Sequence, residues 1–317
     1  MHSARSAARF AWGVLAYNVA VILWGAYVRA SGSGAGCGNH WPLCNGVVVP
    51  QAPEAATIIE FTHRVTSGLA LLAVVALAVW TWRVTVKPNP ARRAAVAALV
   101  LMLNEAWLGA LLVLLQRVGQ DSSAGRAVLL SLHFANTFLL LAALAFCARW
   151  LSPERRQSTN VSGDRKRLAA VAAGLAAIVC VGASGTISAL GDTLFPAKSL
   201  GAALHADVSS SSNFLLRLRV IHPALAVASL VFVLWLVIQS QNPRAVGVDR
   251  RPSTAVVIFF FTQIMLGMLN VALLAPVWLQ LTHLLVAELF WVSVVVAGDE
   301  LLRNAGSKTS SQIAVAS

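Results

Sequence analysis

Eight apolar stretches of about 20 residues occupy most of this chain, and no other feature constrains its fold as strongly. A helix of that length, rising about 1.5 Å per residue, crosses the hydrocarbon core of a bilayer. The composition agrees, because 58% of the residues are hydrophobic and only 11% are charged. The sequence therefore predicts an all-α membrane protein with eight transmembrane helices. The predicted spans run from Phe10 to Val28, Ile58 to Trp82, Ala94 to Leu115, Ala127 to Trp150, Leu168 to Leu190, Phe214 to Ile238, Thr254 to Leu274 and Pro276 to Ala297.

The formal charge of +12 is distributed in a pattern that indicates membrane topology. Basic residues concentrate in alternate connections and at both ends of the chain, which is the positive-inside pattern. The loop of residues 31–57 contains no Lys or Arg. We therefore expect both termini in the cytoplasm, this loop outside, and anionic lipid rather than nucleic acid as the partner of the basic residues. These residues are Arg5, Arg9, those of 83–93, 149–167 and 244–251, Arg303 and Lys308.

The chain divides into two similar halves. The polar connection of residues 151–167 lies near the middle and reads as a cytoplasmic linker. The motif Glu105-x-x-Leu-Gly of the third span recurs as Gln263-x-x-Leu-Gly in the seventh. Since each half has an even number of spans, both enter the membrane in the same orientation. We predict two pseudo-symmetric four-helix bundles, residues 1–150 and 168–317.

Four histidines lie at matching depths in the even-numbered spans. His63 and His133 belong to the first half, and His222 and His283 to the second. Each follows the outer end of its span by a few residues, so two imidazoles of one bundle can hold one haem iron between them. Zinc fits less well because no compact tetrahedral set is present. The alternative is that these are core histidines with hydrogen bonds across helices.

The residue three positions before the first histidine of each half differs. Glu60 precedes His63, whereas Arg219 precedes His222. Position i−3 lies on the same helical face, one turn nearer the outer surface. A carboxylate there suits acid–base chemistry and an arginine suits a propionate, so we expect the reactive haem in the first half and an electron-transfer haem in the second. The alternative for Glu60 is a structural ion pair with Arg64.

Further polar residues lie at the outer ends of the spans. Four arginines are candidates to hold haem propionates, and the alternative for each is interfacial snorkelling. Glu105 is not assigned a catalytic role. The four arginines are Arg64, Arg126, Arg217 and Arg219.

The first outer loop contains Cys37 and Cys44 on the oxidising side of the membrane, separated by a short spacer. A disulfide is expected, and a Cys37–His40–Cys44 metal site is the alternative. Geometry is needed to say whether this disulfide is structural or redox-active. The remaining cysteines are expected to pack and the remaining histidines to be incidental: Cys147, Cys180, His2 and His205.

Together these motifs resemble the haem A synthase family, and the resemblance covers essentially all eight spans. The residues that carry it are Gly25-Ala-Tyr-Val-Arg29, the loop from Cys37 to Cys44 with Trp41-Pro-Leu-Cys44, and Glu60-Phe-Thr-His63-Arg64.

The resemblance implies an oxidoreductase that converts a ring methyl of haem O to a formyl group by successive hydroxylations and loss of water, giving haem A. It implies that Glu60 is the catalytic residue, that His63 and His133 hold the substrate haem, and that His222 and His283 ligate a haem B cofactor. Haem O synthase would supply the substrate, a membrane electron donor not identified by the sequence would supply electrons, and an oligomer is possible. The site would lie near the outer face of the cell membrane.

Two departures from the family and two rival functions stay open. Some family members have a second cysteine pair in the third outer loop, which residues 191–213 lack, and Glu105 stands where we expect Gln in many relatives. The rival functions are a di-haem protein that passes quinol electrons across the membrane, and a haem carrier or chaperone in oxidase assembly.

Overall fold

The computed structural model describes residues 2–152, 165–241 and 249–315. Its regular structure in these ranges is helical, apart from an isolated β-bridge between Cys44 and Val47. The helices are α1 (His2–Ala30), α2 (Ala55–Val84), α3 (Pro90–Leu114), α4 (Ala124–Leu151), α5 (Arg165–Leu194), α6 (Leu200–Val208), α7 (Phe214–Arg217), α8 (Ile221–Ser240), α9 (Arg251–Ala272) and α10 (Val277–Val315), with 3₁₀ turns at Ser33–Ala35 and Leu218–Val220.

The prediction of an all-α protein with eight membrane spans is confirmed. Eight helical segments in the described residues are long and apolar enough to cross a bilayer, and each matches one predicted stretch. The sixth span, Phe214–Ser240, combines α7, a 3₁₀ turn and α8. The turn has a local cause, because Pro223 lacks a backbone N–H and its ring disfavours an α-helical turn immediately before it.

Helix starts follow the capping chemistry of the sequence. The side chain of Asn89 accepts a hydrogen bond from Ala91 N at the start of α3, and Ser123 accepts one from Arg126 N at the start of α4. Such bonds satisfy backbone donors that have no partner within the helix. The third outer connection was predicted as a loop, and the structure shows that it contains α6, which begins at a similar cap, Ser199.

The helices pack as two rings of four. In the first, α1 contacts α2 and α4, and α3 contacts the same two helices. In the second, α5 contacts α8 and α10, and α9 contacts the same two. Helices α1 and α4 of the first ring meet α5 and α10 of the second. The symmetry axis, the cytoplasmic termini and the division at residues 150 and 168 stay predictions, and residues 153–164 of the predicted linker lie outside the described ranges.

Side chains join the two rings near the end of the bundle that the sequence predicts to face outward. Arg29 donates to the carbonyl of Ala189 and to Thr193 on α5, and to Gln280 on α10. These bonds extend from the first ring to two helices of the second.

The rings are also joined in the middle and near the opposite end. The indole of Trp291 donates to the carbonyl of Phe138 and stacks on its ring at 5.0 Å. At the opposite end, Arg149 on α4 pairs with Asp299 and Glu300 on α10. These polar side chains therefore have partners across the interface, as groups within a membrane require.

Candidate functional site

The second-half histidines face each other. The ring centres of His222 on α8 and His283 on α10 lie 6.4 Å apart, with the ring planes at 83°. A metal–imidazole nitrogen bond measures about 2 Å, and the ring centre lies about 1 Å behind that nitrogen, so two imidazoles on opposite sides of one metal place their ring centres about 6 Å apart. The observed separation matches this arrangement. In the first half, His63 on α2 and His133 on α4 lie on two helices of the same ring.

Each of the four histidines lies against a glycine of a neighbouring helix. A β-carbon at Gly25 would lie 2.8 Å from His63 Cε1, and one at Gly185 would lie 2.9 Å from His222 Cε1. The corresponding distances are longer for the other two glycines, 3.4 Å at Gly267 and 3.9 Å at Gly109. The pairs are Gly25 with His63, Gly109 with His133, Gly185 with His222 and Gly267 with His283.

The donor set fits a haem in each half. Neutral imidazole is a common haem ligand, and glycine permits close approach to a flat macrocycle. The Nδ1 atoms of His63, His133 and His283 are buried and have no hydrogen-bond partner among the described residues. The exception, His222 Nδ1, lies 3.0 Å from the carbonyl of Val181 and 3.2 Å from Ser184 Oγ, which orients its ring.

Glu60 is buried on α2 and has two partners in the first outer loop and its own helix. Its Oε2 accepts a hydrogen bond of 2.8 Å from the backbone N–H of Cys37, and its Oε1 pairs with Arg64 at 2.5 Å. The ion pair with Arg64, which the sequence offered as an alternative, is therefore present. Arg64 also donates to the carbonyls of His40 and Leu43, so it joins the loop to the carboxylate.

The predicted disulfide between Cys37 and Cys44 is present. Both sulfur atoms are therefore in a covalent bond, and the alternative metal site that includes His40 is wrong. A further bond from Thr57 Oγ1 to the carbonyl of Gly36 fixes the loop to the start of α2.

The other propionate candidates differ in their surroundings. Arg219 pairs with Asp192 on α5 and Asp207 on α6, both at 2.6 Å, so carboxylates already neutralise its charge. Arg126 donates to the carbonyls of Gly119 and Asp121. Arg217 is exposed.

The comparison with protein-family models gives one match that extends over nearly the whole chain. The model described as "Cytochrome oxidase assembly protein" matches residues 8–295. The chain belongs to this family.

Relatives of this cytochrome oxidase assembly protein include two kinds of enzyme. It is 44% identical over 304 residues to a "Protoheme IX farnesyltransferase" of Thermus thermophilus, covering 95% of this chain and 49% of the relative. It is 37% identical over 139 residues to a "Heme A synthase" of Alkalihalophilus pseudofirmus, covering 44% of each chain. A "Heme A synthase" of Halalkalibacterium halodurans is 38% identical over 134 residues, covering 40% of this chain and 42% of the relative. The chain thus spans about half of the length of the Thermus relative, and its match with each of the two synthases covers less than half of that relative.

A partly buried polar network around Glu105 is the main feature of this family member that the sequence did not predict. Glu105 on α3 accepts hydrogen bonds of 2.5 Å from Asn136 Nδ2 and Thr137 Oγ1 on α4. Its Oε1 also lies 3.3 Å from Nδ1 of His133. Asn104 donates to Asn136 and extends the network. The sequence contained one indication of this network. Asn136 and Thr137 follow His133 by three and four residues, which places their side chains one turn along the same helix.

Proposed function

We propose that this chain is a haem A synthase, an oxidoreductase that converts a ring methyl of haem O to a formyl group. Two successive hydroxylations, each a two-electron oxidation of the methyl carbon by an external oxidant, convert the methyl group to a hydroxymethyl group and then to a hydrated aldehyde, which loses water. One observation supports this assignment most strongly: two helix rings each carry a histidine pair, and only in the first is a carboxylate, Glu60, one turn above the pair.

The two histidine pairs take different roles in this proposal. His63 and His133 hold the substrate haem O, and His222 and His283 hold a haem B. When bound, haem B supplies one-electron chemistry between an electron donor in the membrane and the first half. The chain's own contribution is to fix the rings of the second half at a separation of 6.4 Å and to orient His222 through the carbonyl of Val181.

Glu60 acts at the edge of the substrate in this proposal. Its position one turn from His63 directs it toward a ring substituent rather than toward the iron. The bonds from Cys37 N–H and Arg64 hold the carboxylate in place, so its side chain loses little freedom when the substrate binds. From this position the carboxylate stabilises positive charge or accepts a proton as the methyl carbon is oxidised.

Haem O synthase is the proposed partner that supplies the substrate. The Thermus relative carries the name of a protohaem farnesyltransferase, and this chain matches about half of it. A protein of that length has room for a second region beside the part that resembles this chain. We propose that the corresponding enzyme acts immediately before this one and passes its product within the cell membrane, where both termini of this chain face the cytoplasm and the histidines lie near the outer surface.

The test is haem A production by Glu60→Gln in cells that contain haem O. We expect haem A to fall by about 100-fold or more while haem binding is kept, because general acid–base groups contribute effects of this size. Glu54→Gln is the matched control, since Glu54 is exposed at the start of the same helix. Full haem A production by Glu60→Gln would contradict the proposal and favour the di-haem electron carrier. Ready loss of haem from the purified protein would favour a carrier or chaperone.

A further inference from the structure

We propose that Glu105 is a positioning residue for His133, the first-half histidine on α4, and that among the described residues no carboxylate takes this place beside Nδ1 of His283 in the second half. This inference rests on the proposed function, because it assigns His133 to an iron. It concerns the outer coordination shell, where a carboxylate that accepts the second ring N–H of a ligating histidine fixes its tautomer and raises its basicity.

The contacts around Glu105 leave one of its oxygens with acceptor capacity close to His133. Each carboxylate oxygen can accept two hydrogen bonds. Oε2 accepts from Asn136, and Oε1 accepts from Thr137 and lies 3.3 Å from His133 Nδ1. This nitrogen is buried and has no aligned hydrogen-bond partner among the described residues. Alignment of Nδ1–H with Oε1 requires a rotation of the His133 ring, whose side chain is 27% exposed.

The network holds the carboxylate itself in a fixed position. Asn136 donates to the carbonyl of Leu101 as well as to Glu105, and it accepts a hydrogen bond from Asn104. Thr137 also donates to the carbonyl of His133. Glu105 is thus held by two side chains that lie three and four residues after the histidine, so its position is fixed relative to His133.

The second half lacks the carboxylate of this network and both of the side chains that support it on the histidine helix. Aligning the two Glu/Gln-x-x-Leu-Gly motifs and the two histidines places Thr262, Gln263, Val286 and Ala287 at the equivalent positions. Gln263 is neutral, and its Nε2 lies 3.0 Å from Nε2 of His283 rather than from Nδ1. A neutral amide therefore contacts Nε2 of His283, and Nδ1 of the same imidazole has no hydrogen-bond partner among the described residues.

The difference has a direct electronic consequence. An imidazole that donates Nδ1–H to a carboxylate is a stronger electron donor through Nε2, and stronger donors stabilise the ferric state. Glu105 therefore lowers the reduction potential of an iron bound by His133, and the two irons differ in potential because of outer-shell residues and not only because of their axial ligands.

The experiment is a spectroelectrochemical titration of the purified full-length protein after addition of haem O, with electron paramagnetic resonance of the ferric state. In Glu105→Gln we expect the potential of the His133-bound haem to rise and its resonance to shift, while the second haem stays unchanged. Gln263→Glu is the reciprocal variant, and we expect no rise in potential of either haem. Thr137→Val, which removes one support of the carboxylate, is expected to give a smaller rise than Glu105→Gln.

The outcomes separate this inference from the proposed function. If His133→Ala removes one haem signal but Glu105→Gln and Thr137→Val leave the potential and the resonance unchanged, the positioning role is wrong and the ligand assignment stands. If His133→Ala leaves both haem signals unchanged, the ligand assignment is wrong and the inference is wrong with it. A role for Glu105 confined to packing α3 against α4 would lower thermal stability without moving the potential.

Discussion

The backbone N–H of Cys37 donates a hydrogen bond of 2.8 Å to the buried carboxylate of Glu60. The donor belongs to the disulfide-bonded outer loop and the acceptor to the face of α2 that carries His63. Arg64 adds bonds to two loop carbonyls and to the same carboxylate. The outer loop therefore positions the residue that the proposed reaction depends on.

This coupling predicts that the disulfide affects both stability and activity. The variant Cys37→Ser with Cys44→Ser is expected to lose about 2 kcal/mol of stability, because it opens a short covalent loop. It is also expected to lower haem A formation, since the N–H that fixes Glu60 becomes mobile. Thermal unfolding in detergent and haem analysis are the measurements. Cys180→Ser is the control, because Cys180 is a free and exposed thiol. Equal unfolding temperatures of the double variant and the parent would show that the loop is held in place without the disulfide.

The glycines that face the histidines predict a graded series of alanine variants. Gly25→Ala and Gly185→Ala place a methyl group 2.8 Å and 2.9 Å from an imidazole carbon, so we expect reduced haem content and a stability loss of about 1 to 3 kcal/mol. Gly109→Ala is expected to be tolerated, because its nearest contact is 3.9 Å. Gly13→Ala is the control, since a β-carbon there meets nothing within 4 Å. Haem-to-protein ratio is the measurement, and equal ratios in all four variants would contradict the packing argument.

Arg219 predicts a contrast with its exposed neighbour Arg217. Replacing Arg219 with Ala leaves Asp192 and Asp207 without their shared cation, which we expect to cost about 3 kcal/mol and to loosen α6. Arg217→Ala is expected to change stability by less than about 0.5 kcal/mol, as exposed substitutions usually do. Thermal unfolding and hydrogen exchange of residues 200–208 check this. If both variants behave alike, the ion pairs are not important for holding the outer helix.

Much of the fold could be predicted because the bilayer restricts the choice of structure. Apolar length alone located the eight spans, and the depth of four histidines within them follows from a fixed helical rise. The contacts between these spans could not be predicted in the same way. Arg149 and Asp299 are 150 positions apart, and no local pattern indicates that they meet. Helix α6 was missed because a span of nine residues between two membrane helices has no strong period of its own.

The arrangement of the second-half histidines was predictable, their role as ligands stays a prediction, and the surroundings of the site were less predictable. The repeat indicated His222 with His283, and these rings face each other. The sequence left Glu60 with two alternatives, catalysis or an ion pair, and the structure shows the ion pair in the position from which catalysis is proposed. The sequence did not assign a role to Glu105 because its partners, Asn136 and Thr137, lie on another helix. They contact Glu105 only because α3 packs on α4.

The most direct test of the paired-histidine account is the haem content and low-spin spectrum of the purified protein in four single variants, His63→Ala, His133→Ala, His222→Ala and His283→Ala. We expect His222→Ala and His283→Ala to remove the same tightly bound haem B, and His63→Ala and His133→Ala to remove the signal of added haem O while haem B remains. Equal loss of both signals in all four variants, or no loss in any, would contradict the division of the two halves into a substrate site and a cofactor site.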